Sequence, residues 1–292
     1  MSEVKGLGLI PSPVDKRDIL MSAVLPAFAI PPQFEVENIT PVKDQDTEGT
    51  CVGFACTIGM KEWQEQKEQG SYIALSPRYL YEKTKAADQF PDGNPRCSPG
   101  GDGTSISVAM RVLQHNGVCE ESFWPYKACE TSSPGAGADE NAGKYRIKAY
   151  ARLDSLDTMK RSLLVNGPFV IGVTVYENWR NPEVGATGKI PMPSGRIVGG
   201  HALCVVGYND HTGMLKFKNS WSTSWGDGGF GYLPYSYIDM DENFEAYSGT
   251  DLIDNVDALV KAKEKVLTQM NESFTEEVKI NNWGGEQKIQ YH

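Results

Sequence analysis

Cysteine is scarce in this chain, at 6 of 292 residues. That is too few to hold a protein of this length together as a disulfide scaffold. No two cysteines stand as C-x-x-C, so zinc-ribbon and thioredoxin-type readings have no support. Histidine is scarcer: the 4 are His115, His201, His211 and His292, and none has H-E-x-x-H spacing. No metal and no cofactor is expected. No apolar run reaches the roughly 18 residues of a membrane span. The longest N-terminal candidate, Ile19 to Ile30, is broken by Pro26 and preceded by Asp15, Lys16, Arg17 and Asp18. It reads as a packing segment and not as a secretory signal. Basic charge is also short, with 28 Lys and Arg against 38 Asp and Glu and a net charge of −10. That balance argues against nucleic acid or an anionic membrane as a partner. With no signal in view the expected location is the cytoplasm, export by another route staying open.

What is present is ordinary globular material, 40% hydrophobic and 23% charged, long enough for one large domain or two small ones. Residues 1–30 carry Pro11, Pro13 and Pro26 without periodicity and read as an extended arm, closed by Pro31-Pro32. From Cys51 to Gln69 there is no proline, and Val52, Ala55, Cys56, Gly59 and Trp63 recur at helical spacing before Gly70. This predicts a buried helix with Cys51 in its first turn. Residues 86–103 and 130–143 read as loops, and Thr104 or Ser105 as the cap of a helix through Gln114, stopped by Gly117. Strands are expected at Phe169–Val175, Ala202–Val206 and Met214–Lys218, and a polar amphipathic helix at Val256–Met270. The acidic run Asp239–Glu242 reads as a solvated face. A mainly helical first half and a mainly β second half suggest two subdomains with a cleft between them, a common place for a site.

Cysteine attacks as the thiolate, and an ordinary thiol has a pKa of about 8.5. A helix N-terminus favours the anion, and a neighbouring histidine takes the proton. Cys51 has the first device by sequence, and residue chemistry alone does not say which histidine supplies the second. Alone, Cys51 reads equally well as one more small buried residue. Its surroundings change that: Val42-Lys-Asp-Gln-Asp-Thr-Glu-Gly-Thr-Cys-Val-Gly-Phe-Ala55, Gly200-His-Ala-Leu-Cys-Val-Val-Gly-Tyr208 and Lys218-Asn-Ser-Trp-Ser-Thr-Ser-Trp-Gly-Asp-Gly-Gly-Phe-Gly-Tyr232. In order and spacing these stretches resemble the papain and cathepsin family of cysteine peptidases, with His201 about 150 positions after Cys51 and Asn219 following it. The resemblance runs from about Ile30 to Tyr237 and includes Trp124-Pro-Tyr126 and Gly167-Pro-Phe-Val170.

The resemblance implies an α+β, papain-like fold of two subdomains, one helical and one an antiparallel β-barrel-like unit, with the active site between. It divides the chain into an N-terminal extension (1–29), a peptidase domain (30–250, helical over about 42–145 and β over about 146–250) and a C-terminal extension (251–292). It implies Cys51 as nucleophile, His201 as its proton partner, Asn219 as the orienter of the imidazole and Gln45 as an oxyanion donor. Trp221 would shield the His201–Asn219 bond, Gly49 and Gly103 would border the primary subsites, and Gly172, Gly199 and Ala202 would lie near a second subsite, roomy and suited to a bulky apolar side chain. The implied activity is that of an endopeptidase acting on peptides or proteins through an acyl-enzyme, with acyl transfer to an amine, or a catalytically silent binding protein, as the alternatives. Val52 and Glu48 depart from the family pattern, which has an aromatic residue and a cysteine there, and the chain looks closest to the prokaryotic or viral branch. Cys97 and Cys129 would form the one remaining family-like disulfide, with Cys119 as a rival partner, and Cys56 and Cys204 would be buried thiols. The N-terminal arm is expected to cross the cleft as an inhibitory segment and be cut later, as in a zymogen, with a disordered leader or a strap on the back face as the alternatives. Residues 181–198 form a loop peculiar to this chain that would trim the cleft.

Overall fold

A computed structural model of the chain describes residues 5–13, 18–23, 25, 28–88, 103–130 and 132–250, together with the backbone of 280–282 and 285–287. After a single 3-10 turn at Met21–Ala23, a short strand β1 (Gln33–Glu35) precedes the helical half. Its central helix is continuous from Cys51 to Gln69: α1 (Cys51–Phe54), a π-helical stretch (Ala55–Lys61) and α2 (Glu62–Gln69). Gly70 ends it at φ 71°, a left-handed conformation that glycine adopts at no steric cost. The helix α3 (Pro77–Ala87) starts where the Ser76 side chain accepts from Tyr79 N–H and Pro77 fills the first turn. Next come α4 (Ile106–His115) and α5 (Ala138–Ala142). The last falls inside the expected 130–143 loop, so that stretch is loop only in part.

The second half alternates strands and helices: β2 (Ala149–Arg152), α6 (Leu156–Asn166), β3 (Phe169–Tyr176), α7 (Pro182–Thr187), β4 (Ile197–Asn209), β5 (Met214–Lys218), β6 (Phe230–Pro234), α8 (Tyr235–Met240) and β7 (Glu245–Thr250). The expected 181–198 loop thus holds α7 and the start of β4. A Ser155–Thr158 capping box opens α6. The strands form one antiparallel sheet of order β2-β7-β3-β4-β5-β6, with β1 paired to the far end of β4. Among the described residues its edges do not meet, so the sheet is open where a barrel-like closure was expected. Strands β8 (Ile280–Asn282) and β9 (Gly285–Gln287) pair with each other. The expected helix at 256–270 lies outside the described residues.

The sheet has a core on each face. Val170, Ala202, Cys204 and Val206 pack with Cys51, Cys56 and Met60 of the central helix. Phe169, Ile171, Val173, Leu203 and Val205 pack on the other side with Met159 and Leu163 of α6 and with Trp221. Burial on both faces explains why β3 reads as an unbroken apolar run. Each such side chain contributes about 1.5–3 kcal/mol. The central helix meets β4 at Gly59, where a Cβ would stand 2.4 Å from the Cys204 Cβ. Only a residue without a side chain allows that approach.

Two expectations fail on electrostatics. Asp241 is not solvated: it is buried and accepts from Thr174 N–H at 2.6 Å and Thr174 Oγ1 at 2.7 Å. Glu48 is more than a lost cysteine. It is buried and paired with Arg78 through two bonds of 2.7 and 2.5 Å, and it also accepts from Cys129 N–H at 2.8 Å. An ion pair therefore ties the loop before Cys51 to α3 where the resemblance would place a disulfide. Cys129 is disulfide-bonded, while Cys51, Cys56, Cys119 and Cys204 are buried free thiols. Cys97, the expected partner of Cys129, lies outside the described residues.

Candidate active site

Cys51 is the first residue of the central helix, and β4 carries His201. The Cys51 thiol packs beside the backbone of Ala202, the residue after His201. His201 is fully buried, and its Nε2 lies 2.9 Å from Asn219 Oδ1. The other ring nitrogen, Nδ1, has no hydrogen-bond partner. Trp221 stacks on the imidazole at 4.4 Å between centroids and 19° between planes. It walls the His201–Asn219 bond from water, which strengthens that bond in the low-dielectric interior.

Gln45 reaches the same place. Its N–H donates to Ser220 O at 2.8 Å, and its Oε1 accepts from Ser220 Oγ at 2.5 Å. With Oε1 so occupied, Nε2 faces the cleft as a donor, giving hydrogen bonds to Glu48 O at 2.9 Å and to Gly6 O at 3.1 Å. Ser220, between Asn219 and Trp221, thus fixes the orientation of the Gln45 side chain, a contact that no local sequence signal announces.

The Gly6 carbonyl belongs to the N-terminal arm, and the arm fills the cleft. Gly6 N–H donates to Asp46 O at 3.0 Å, Thr104 N–H to Gly8 O at 3.0 Å, Leu9 N–H to Gly200 O at 3.1 Å and Ile10 N–H to Thr104 O at 3.0 Å. Lys5 pairs with Asp44 at 3.0 Å. Further on, Ser12 N–H donates to Glu245 Oε2 at 3.2 Å. The covering residues are 5–12, while Ile19 and Leu20 have already moved on to pair with Arg152 of β2.

The arm fits through the alternation Gly6-Leu7-Gly8-Leu9. The glycines face the loop before Cys51: a Cβ on Gly8 would stand 1.8 Å from Gly49 O. The leucines face the sheet, Leu7 against Gly199 and Leu9 against Gly172 and Gly200. The expected subsite residues Gly49, Gly103, Gly172 and Gly199 all line the trough that this segment occupies. Ala202 sits beside Gly172 on the sheet. Trp221 lies over the imidazole. A two-residue alternation of glycine and leucine is a strand signal with one face prepared for close backbone approach, and it was available in the sequence.

Covered in this way, the thiol and imidazole are both held neutral. Burial pushes the Cys51 thiol up to about 11, and backbone hydrogen bonding from Ala202 and Gly8 only partly offsets it. Burial drives His201 down to about 4 against the opposing bond to Asn219. Desolvation disfavours the charged form of each group, so no ion pair forms under the arm. Among the described residues no cluster of His, Cys, Asp and Glu could hold a metal ion, and no helix is long and apolar enough to cross a membrane. His115, at the end of α4, and His211, in an exposed turn, lie on other elements.

Comparison with known proteins identifies the family. An uncharacterised peptidase C1-like protein of Acanthamoeba polyphaga mimivirus is 27% identical over 269 residues, covering 82% of this chain and 84% of that protein. Digestive cysteine proteinase 1 of Homarus americanus is 32% identical over 66% of this chain, and the match spans only 57% of the lobster protein. Among solved structures, xylellain, a cysteine protease from Xylella fastidiosa, superposes with a TM-score of 0.74 at 25% identity, covering 86% of this chain and 97% of that one. Procathepsin B S9 of Trypanosoma congolense shares the fold, with a TM-score of 0.62 at 21% identity over 85% of this chain and 86% of that one. The sequence model of the family described as papain family cysteine protease matches residues 30–245, and the chain belongs to that family.

Proposed function

We propose that this protein is a cysteine endopeptidase, cleaving peptides or proteins, whose N-terminal segment (1–29) blocks the cleft until it is displaced or cut. The observation that carries the reading is the meeting of Cys51, His201, Asn219 and Gln45 beneath a segment hydrogen-bonded along the trough. With the arm gone, water and substrate reach the site and the desolvation of both charged groups falls. Cys51 then transfers its proton to His201 Nδ1, the nitrogen left free by Asn219. The thiolate attacks the scissile carbonyl carbon, and the developing oxyanion accepts from Gln45 Nε2 and the Cys51 N–H. One such donor is worth about 3–4 kcal/mol of transition-state stabilisation. The His201 imidazolium protonates the leaving amine, leaving an acyl-enzyme. Water attacks it with His201 as base, releasing the acid and restoring the thiol. In this scheme Gly6 O holds the Gln45 donor that the oxyanion would need, so the arm blocks both the nucleophile and its electrostatic partner.

The test is covalent labelling of Cys51 by a peptidyl epoxide, read by mass spectrometry, in the full-length chain carrying Gly8→Ala to unseat the arm. Labelling that disappears with Cys51→Ala, together with peptide hydrolysis, is the expected result. Transfer to an added amine in place of hydrolysis would replace endopeptidase by acyl transferase. Absence of labelling and turnover would leave a silent binding protein.

A further inference from the structure

The tripeptide Trp124-Pro-Tyr126 supplies none of the four residues of the proposed reaction, but its tyrosine reaches the backbone that carries two of them. Its own chain is pinned on both sides of Pro125. Trp124 O accepts from Ser76 Oγ, at the start of α3, at 2.6 Å. Tyr126 N–H donates to Glu121 Oε1 at 2.9 Å. The Tyr126 ring meets Phe54 of α1 edge to face, with centroids 4.7 Å apart and planes at 87°. The Arg78 guanidinium, already paired with Glu48, lies 4.9 Å over the same ring. An aromatic edge contact and a cation over one face together fix where the hydroxyl points.

That hydroxyl lands on the loop before Cys51. It donates to Gln45 O at 2.6 Å and stands 2.9 Å from Thr50 Oγ1. A carbonyl only accepts, and a phenol has one proton to give. The Thr50 hydroxyl therefore donates to the phenol oxygen, and the order of donation is Thr50 to Tyr126 to Gln45. Burial raises the phenol well above its ordinary pKa, so the proton stays in place. Gln45 and Thr50 are both fully buried. The Gln45 backbone is thus held from two sides, by Tyr126 at its carbonyl and by Ser220 at its N–H.

Thr50 matters because it shares a peptide unit with Cys51. Thr50 O accepts from Phe54 N–H at 3.1 Å inside the helix. The trans peptide then turns Cys51 N–H the opposite way, out of the helix end. Gln45 Nε2 and Cys51 N–H are the two oxyanion donors of the proposed reaction. Both must stand about 2.7–3.1 Å from a single point to hold the developing charge. Their separation is what the site has to fix, and one hydroxyl joins the two backbones that carry them.

We propose that Tyr126 is a positioning residue whose hydroxyl, through Thr50, sets the spacing of the Gln45 and Cys51 oxyanion donors. As a statement about catalysis, this rests on the peptidase reading.

The test is Tyr126→Phe in the full-length chain carrying Gly8→Ala. Phenylalanine keeps the ring between Phe54 and Arg78 and loses only the hydroxyl. Two probes separate the donors from the nucleophile. Iodoacetamide is attacked at a saturated carbon: a C–S bond forms, iodide leaves and no oxyanion develops. A peptide aldehyde is attacked at its carbonyl: a C–S bond forms and the π pair moves to oxygen, which takes up the proton given by the thiol. That oxygen occupies the place of the oxyanion. A donor removed outright costs roughly 100-fold to 1,000-fold in kcat, so a displaced one should cost at least tenfold. The expected result is a Cys51 alkylation rate at pH 8 within twofold of the parent and an aldehyde dissociation constant at least tenfold higher. For a peptide substrate, kcat should fall at least tenfold with KM within threefold. Thr50→Val, which removes the other end of the relay, should give the same pattern, and Thr50→Ser should keep the parent values. Equal losses with both probes, or an unchanged aldehyde constant, overturn the positioning role. Peptide turnover that Tyr126→Phe leaves untouched removes that role and keeps the peptidase reading. Aldehyde binding that depends on Tyr126 without peptide turnover sustains the role and removes the peptidase reading. A parent chain that binds no aldehyde and cleaves no peptide overturns both.

Discussion

A single methyl group at position 8 should unlock the site. The Gly8→Ala side chain would begin 1.8 Å from the Gly49 carbonyl oxygen, and backbone has no rotamer with which to yield. The arm must lift there. The nearest bonds to be lost are Thr104 N–H to Gly8 O, Leu9 N–H to Gly200 O and Ile10 N–H to Thr104 O. At about 0.5–1.5 kcal/mol net for each bond, the loss is about 2–4 kcal/mol. That corresponds to roughly a 30-fold to 1,000-fold rise in the open population. The thiol changes as well. With its pKa near 11 under the arm, roughly one molecule in a thousand is thiolate at pH 8, whereas an ordinary thiol near 8.5 is about one-quarter ionised. The assay is the rate of iodoacetamide alkylation of each cysteine at pH 8, resolved by peptide mass spectrometry. Cys56, Cys119 and Cys204 are buried free thiols and serve as internal references. Cys51 should accelerate by at least 30-fold while the references stay slow. An unchanged Cys51 rate would refute the seating of the arm, and equal acceleration of all four would show general unfolding in place of a local lift.

Two further predictions concern charge. Glu48→Ala leaves the Arg78 guanidinium buried without its main partner, and should cost about 3–5 kcal/mol by urea denaturation; adding Arg78→Met should recover most of the loss. Glu245→Gln should stabilise the full-length chain at pH 8 and do little at pH 4.5. The Glu245 carboxyl is raised from 4.5 to about 7 in the folded chain, so the unfolded chain ionises first and stability is lost as pH rises through that window. The expected gain on substitution is at most about 3 kcal/mol, read as a difference in thermal midpoint between the two pH values.

The helix from Cys51 to Gln69 was legible from the helical spacing of its apolar residues before Gly70, and the strand Phe169–Tyr176 from its unbroken apolar run. The distant partners Gln45, His201 and Asn219 were legible only through resemblance, since no local periodicity links them to Cys51. Asp241 was misread because an acidic run looks solvated until the strand that buries it is known: the Thr174 N–H that Asp241 satisfies is 67 residues away. The role of Glu48 was invisible for the same reason, its partner Arg78 being 30 positions on and placed by the start of α3. Glu245 could not be placed opposite Gly172 because pairing of β7 with β3 depends on the whole sheet order. The arm is the opposite case, where Gly6-Leu7-Gly8-Leu9 carried its period openly and was passed over among the surrounding prolines.

The contact between Gly59 and Cys204 has a consequence beyond packing. Gly59 lies two turns down the helix whose first residue is Cys51, and Cys204 lies three residues beyond His201 on β4. The helix and the strand that carry Cys51 and His201 therefore press together at a position with no side chain. A methyl group added at residue 59 would touch neither Cys51 nor His201 and would still have to push apart the two elements that carry them.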